Sequence, residues 1–207
     1  MNTSEPASDD LFAFRFRGGR LCLNFVATIG WRDSPKPIER LPSSADFERW
    51  IVEAGIATTS PRISTKMLIE AHKLREAIYR IVNAVLHQKS FDVEDLNTVN
   101  HWASFRIESP QLIADGKSLA IKTAAAQRAE SVIAEIARDA VSLLGGQQQK
   151  RIRRCAREDC TLLFVDESRS GRRRWCSMNA CGNRAKTVAY RRRSKFALVK
   201  KNSTKPA

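Results

Sequence analysis

Four cysteines, Cys155, Cys160, Cys176 and Cys181, fall within 27 residues in the pattern C-x4-C-x15-C-x4-C. Two short-spaced thiolate pairs are the soft donor set that Zn(2+) takes at the corners of a tetrahedron. Each pair demands a tight turn. The 15 residues between the pairs make a loop or hairpin, with residues 161–165 (TLLFV) as its strand and 168–171 as its turn. The segment around them has few apolar side chains: Leu162, Leu163, Phe164, Val165, Trp175, Val188 and Phe196. So small a core needs a staple. A structural zinc ion supplies on the order of 10–16 kcal/mol in such modules, and residues 150–195 are expected to unfold as a unit without it. Disulfides would require an oxidising compartment, which nothing in the sequence implies; a redox-sensing variant of the site stays open. Cys22 sits in an apolar stretch and reads as a small buried hydrophobe, and His72, His87 and His101 show no ligand spacing to one another.

The charge distribution divides the chain. Its 207 residues carry a net +14, with 18 Lys+Arg against 4 Asp+Glu from Lys150 onward and 18 of each in residues 1–149. A neutral body joined to a strongly basic end calls for a polyanion. The basic end lacks the broad apolar face of a membrane-surface helix, so nucleic acid ranks above lipid. No stretch reaches the roughly 18 apolar residues of a membrane span, and the start MNTSEPASDD is no signal peptide. The expected location is the cytoplasm.

The body reads as mainly α (α+β), with a small β element. Residues 1–11 are expected to be disordered. Residues 12–29 alternate around Gly18-Gly19 and read as an extended or hairpin segment entering a helix near Leu23. Residues 34–42 are a Pro-rich loop. Ser43 or Ser44 caps a short helix ending at Gly55. The strongest helix begins near Ser64, with Met67, Ala71, Leu74, Ile78, Ile81 and Val85 on one stripe. Asp92 caps the next, through about Trp102. Residues 105–107 and 112–114 are candidate strands, and Asp115-Gly116 is a hairpin turn leading into 118–121. A second long helix is expected from Thr123 to Leu144, stopped by Gly145-Gly146, and residues 147–149 form a polar linker.

The segment Arg174 to Lys186, RWCSMNACGNRAK, resembles the signature of the CGNR zinc finger family, through Trp175-Cys176-Ser177-Met178 and Cys181-Gly182-Asn183-Arg184. Cys155, Cys160 and Leu163-Phe164-Val165-Asp166 fit the same pattern. The N-terminal part resembles the ABATE domain that accompanies that finger, through Gly18-Gly19, Leu21, Leu23, Phe25-Val26, Thr28, Leu74-Arg75-Glu76-Ala77 and Asp95-Leu96-Asn97. Two positions depart from it: Asn24 stands where the family often has Asp, and Ala27 where it often has Asn. The resemblance implies a bacterial stress-induced transcription regulator. It divides the chain into a helical domain over residues 12–148, a zinc finger with a β-hairpin and a basic helix over 149–195, and a basic tail over 196–207.

Cys181 is expected to anchor a helix running to about Lys195. Ala185, Val188 and Ala189 would face Trp175 and the metal, leaving a basic outer surface. The candidate nucleic-acid contacts are Arg172, Arg173, Arg174, Arg184, Lys186, Tyr190, Arg191, Arg192, Arg193 and Lys195. Guanidinium forks suit phosphate oxygens and guanine edges. Arg184 is equally placed to bond the knuckle backbone. DNA is the first expected partner; RNA, or an acidic protein met by the same finger, is the alternative. A homodimer and a small-molecule effector on the N-terminal domain stay open. An enzyme is not expected, because four thiolates close the zinc coordination sphere and no P-loop, GxSxG or His–Glu metal motif is present.

Overall fold

The computed structural model describes residues 12–107, 111–122, 128–157, 159–188 and 190–191. The expected disorder of 1–11, Ala189, Arg192, Arg193, Lys195 and the 196–207 tail lie outside them. The second long helix begins at Ala129 rather than at Thr123, because Arg128 before it is extended.

Among the described residues, five α-helices build the body: α1 (Leu21–Val26), α2 (Ser44–Glu53), α3 (Thr65–His87), α4 (Val93–Ala103) and α5 (Ala129–Gly145). Their starts follow local chemistry. The Ser43 hydroxyl accepts the Asp46 N–H, Ser64 accepts Met67 N–H, and Asp92 accepts Glu94 N–H, each satisfying an orphan donor of a first turn. The short α1 has no side-chain cap of its own. Asp139 on α5 serves instead, accepting Cys22 N–H at 2.8 Å and the Arg20 Nε–H at 2.8 Å.

The apolar stripes of α3 and α5 meet as their periodicity requires. Leu74, Ile78 and Val82 on α3, and Val132, Ile136, Ala140 and Leu143 on α5, are fully buried with α1 between them. Phe25, Phe47 and Trp50 cluster at one end, with ring centroids 5.1 to 6.0 Å apart. Cys22 is buried in this core, as a small hydrophobe would be.

Among the described residues there are also three two-stranded antiparallel ladders. In the first, β1 (Ile29–Gly30) pairs with β2 (Ile38–Glu39). The helix expected near Leu23 forms as α1, and residues 14–17 lead into it through Gly18-Gly19 without the hairpin alternative. In the second, β3 (Gln111–Asp115) pairs with β4 (Ser118–Lys122) across the Asp115-Gly116 turn, while residues 105–107 form no strand. In the third, β5 (Ile152–Arg154) pairs with β6 (Leu163–Val165).

The third ladder corrects the expected hairpin between the cysteine pairs. The partner of the TLLFV strand lies upstream of Cys155, and residues 172–174 are loop. It also changes how the finger is anchored. Alternate residues of β6 point to opposite faces. Leu163 and Val165, with Ile152 of β5, join the core of the body, while Phe164 packs on the cysteines. Val165 N–H donates to the Gly18 carbonyl at 2.9 Å, so the Gly18-Gly19 turn is where the body receives β6. Burying three such side chains contributes roughly 1.5–3 kcal/mol each. The oily interior of the body therefore holds this half of the finger.

A buried polar cluster lies where α1, β2 and α3 meet. Arg75, 2% exposed, binds Glu39 through two bonds of 2.8 and 2.5 Å and donates to Thr28 Oγ1. Burial raises the Glu39 carboxyl, but the Arg75 guanidinium outweighs it and holds the group below its ordinary value. The neighbouring Glu76 takes both Arg32 NH groups.

Candidate metal centre and basic surface

Cys155 follows β5 directly, and Cys160 stands three residues before β6. The Cys155 N–H donates to Leu162 O, closing the first turn, and Cys160 N–H donates to Arg157 O. Cys176 and Cys181 flank the second turn. It opens with Ser177, whose hydroxyl accepts Ala180 N–H, and continues as the wide helical turn Met178–Gly182. Both Cys181 and Gly182 donate to Ser177 O. Gly182 is buried under Met178 and Trp175, and a methyl group there would collide with the Met178 sulfur. The two turns are tied together by Ala156 N–H donating to Arg174 O at 2.8 Å.

The four Sγ atoms all lie within 4.8 Å of one another. Cys176 and Cys181 are 3.5 Å apart, and Cys160 and Cys176 are 3.9 Å apart. A tetrahedral site with Zn–S near 2.3 Å sets sulfurs about 3.8 Å apart. Three of the cysteines are buried and Cys160 is half-buried. The donor set, its spacing and its shielding fit Zn(2+). The thiols also perturb one another. Cys155 is pulled far below its ordinary value by the thiols of Cys160, Cys176 and Cys181, while Cys160 and Cys176 are pushed up by their contacts with Cys155. Four sulfurs this close cannot all ionise without a cation among them.

A second device orders the long loop between the pairs. Asp166, fully buried at the end of β6, accepts Ser168 N–H at 3.0 Å and Arg173 N–H at 2.7 Å. Burial works against its charge, but the bonds from Ser168 and Arg173 outweigh it and lower the carboxyl pKa. A group with a lowered folded-state pKa contributes stability above its unfolded value, about 3.9, and loses it as pH falls through the folded value. Asp166→Asn replaces one acceptor by a donor that faces an N–H. It is expected to lower Tm by several degrees at pH 7 and to flatten the acid limb of the stability curve below pH 4, measured by thermal melts across pH.

The basic residues divide by what they touch. Arg173 donates through Nε to Trp175 O and through Nη2 to Cys176 O, and its guanidinium lies 5.0 Å from the Phe164 ring centre. It braces the second turn. Arg174 stacks over Trp175 at 5.0 Å. Arg172, Arg184, Lys186, Tyr190 and Arg191 are exposed. The wide turn runs on as helix 183–188, so Cys181 does anchor the helix as expected. Its apolar face is thinner than expected: Ala185 is half-buried and Val188 is 55% exposed. His72 is satisfied by Leu41 O at 3.1 Å, away from the sulfurs.

The family model ABATE, described as "Putative stress-induced transcription regulator", matches residues 19–147. The chain belongs to the ABATE family. In this ABATE-family protein the model of the CGNR zinc finger matches residues 151–194 and takes in all four cysteines. Together with the sulfur cluster, the two matches make it a zinc-binding protein of a regulatory family. Both models describe regulatory or zinc-finger proteins rather than enzymes. No curated protein matches it in sequence. Among its described residues no helix is long and apolar enough to cross a membrane.

Residues of the ABATE-like segment, its two departing positions Asn24 and Ala27 among them, bond within the body. Asn24 Oδ1 accepts the Gly18 N–H at 2.8 Å, Thr28 and Arg75 bond each other, and the Ala27 carbonyl accepts from Arg40. Arg75 and Asp166 carried no functional sign in the sequence beyond their places in the motifs. A charged residue beside the apolar stripe of α3 was the one signal available for Arg75.

Proposed function

We propose that this protein is a zinc-dependent DNA-binding transcription regulator. In this reading Cys155, Cys160, Cys176 and Cys181 are the four zinc ligands, and the ion completes a finger spanning about residues 149–195 on a helical body of residues 12–148. The observation that carries it is the position of the exposed cations. Arg172 and Arg174 leave the loop just before Cys176, and Arg184, Lys186 and Arg191 leave the helix just after Cys181. One metal centre would thus fix both basic segments in register with each other. Fixed cations bind a phosphate backbone at lower entropic cost than a mobile tail.

The described arginines and Lys186, with Arg192, Arg193 and Lys195 beyond them, supply phosphate contacts. Tyr190, 67% exposed, supplies a ring for packing on sugar or base. Arg173 acts at one remove by holding the turn. The chemistry of zinc here is structural: four thiolates leave no open position for a substrate.

In vitro selection from random duplexes with the zinc-loaded full chain tests the reading, beside a Cys176→Ser control and a structured RNA competitor. Enrichment of a duplex motif by the wild type alone supports it. Preference for the RNA, or no retention of nucleic acid at physiological salt, would replace it with an RNA-binding or protein-adaptor role.

A further inference from the structure

Two neutral amides stand among the cations of the finger. Asn179 lies inside the wide turn Met178–Gly182, and Asn183 is the first residue of the helix that continues it. Both are exposed, and among the described residues neither side-chain amide has a hydrogen-bond partner. The bond that reaches Asn183 from Thr187 Oγ1 goes to its backbone carbonyl. An asparagine at the start of a helix commonly turns its side chain onto a nearby backbone N–H. Here Ser177 takes that place by accepting Ala180 N–H, which leaves both amides unused.

Helical spacing puts the two amides in the middle of the outer face. Cys181, buried in the sulfur cluster, and Ala185, half-buried, mark the side that faces the metal centre. Asn183 lies two residues from each, a rotation of about 200° at about 100° per residue, and so points away from that side. Asn179 is four residues earlier, one turn back on the same face for an α turn or a wider one. Lys186 lies about 60° to one side of this line and Arg191 about 80° to the other at the same spacing, and both are exposed. Glu167 is the last acidic side chain in the sequence, so the face carries no carboxylate. A row of amides with a cation on each flank matches a groove of duplex DNA, whose walls are phosphate backbones and whose floor is base edges.

We propose that Asn179 and Asn183 read adenine edges in the major groove and give the finger its sequence preference. An asparagine amide offers an acceptor and a donor side by side. Adenine presents the complement in the major groove, the N6 amino donor beside the N7 acceptor, whereas guanine presents two acceptors and turns the amide oxygen away. The inference rests on the DNA-binding reading and adds recognition to it. The cations hold phosphate and carry no base preference, and the amides supply it. Both sit on backbone that is already braced, by Cys181 and Gly182 N–H donating to Ser177 O and by Arg173 donating to Trp175 O. Little conformational freedom is therefore lost when they meet a base.

Selection from random duplexes with the zinc-loaded full chain, repeated with Asn179→Ala and Asn183→Ala and followed by anisotropy on the selected motif, tests this. The wild type should select a motif holding two A·T pairs, and replacing either by G·C should weaken binding about tenfold. Asn183→Ala should lose the preference at one of these positions and Asn179→Ala at the other, with the salt slope unchanged because no cation is removed. Lys186→Ala should weaken binding to every duplex alike and keep both preferences. Variants that select the wild-type motif with the same mismatch penalties would overturn the proposal. A wild type that holds duplex DNA with no base preference would also overturn it while leaving the phosphate-binding reading in place, whereas one that holds no duplex would remove both. If a variant fails to fold, shown by lost zinc stoichiometry, the wild type still decides. An adenine analogue lacking the N7 acceptor at the two positions should weaken its binding several-fold, and full affinity for that duplex would overturn the proposal.

Discussion

Cys176→Ser is expected to abolish stoichiometric zinc binding and to weaken duplex DNA binding by about a hundredfold or more, while β5 and β6 stay folded against the body. Removing one of four thiolates opens the coordination sphere and forfeits most of the folding energy the ion supplies. What that energy orders is restricted. Ile152, Leu163 and Val165 are buried in the core of the body rather than among the cysteines. The turn 176–182 and the helix after it have little apolar support, with Val188 exposed and Ala185 half-buried. Hydrogen exchange reads this directly. Amides of residues 152–154 and 163–165 should keep the protection of the body, and those of 176–188 should lose theirs. Uniform loss across residues 150–188 would mean that metal holds the hairpin too, and unchanged protection throughout would remove metal from the account.

Duplex DNA affinity is expected to fall about a thousandfold between 50 and 200 mM monovalent salt. Roughly six phosphate neutralisations give a log–log slope near −5, because each contact releases condensed counterions. Arg172, Arg174, Arg184, Lys186 and Arg191 are five exposed cations among the described residues, and one of Arg192, Arg193 and Lys195 would complete the number. Arg173 is the informative exception. Its guanidinium is engaged by Trp175 O and Cys176 O, so Arg173→Ala should weaken binding while leaving the slope nearly unchanged, whereas Lys186→Ala should reduce the slope by about one. Fluorescence anisotropy over a salt series measures both. A flat response in the wild type would rule out phosphate contacts as the source of affinity.

The most local signals in the sequence carried furthest. Asp92 caps the helix it was expected to cap, Ser43 proves to be the cap of the two serines considered, and Ser64 caps the helix expected to begin near it, because a side chain two or three residues from an orphan N–H needs no tertiary information. The stripes of α3 and α5 and the turn at Asp115-Gly116 were legible for the same reason. The cysteine set was legible because soft donors at short spacing have few other uses, and its sulfurs do converge.

What the sequence hid was long-range. β5 is the tripeptide Ile152-Arg153-Arg154, too short and too charged to stand out from the basic run around it, so its partner strand was sought on the wrong side of Cys155. In β6 the residues Leu163, Phe164 and Val165 are all apolar and all buried. A strand covered on both faces shows no alternation, so nothing revealed that two of its residues belong to the body and one to the metal centre. The buried pair of Arg75 and Glu39 joins residues 36 apart.

The account stands or falls on whether the metal makes the basic surface able to hold DNA. The direct measurement is to strip zinc from the purified full chain, then add it back stepwise while following binding to a labelled duplex at fixed salt. Binding that rises with zinc and reaches its plateau at one equivalent per chain is the predicted result. Full affinity before any zinc is added would contradict it.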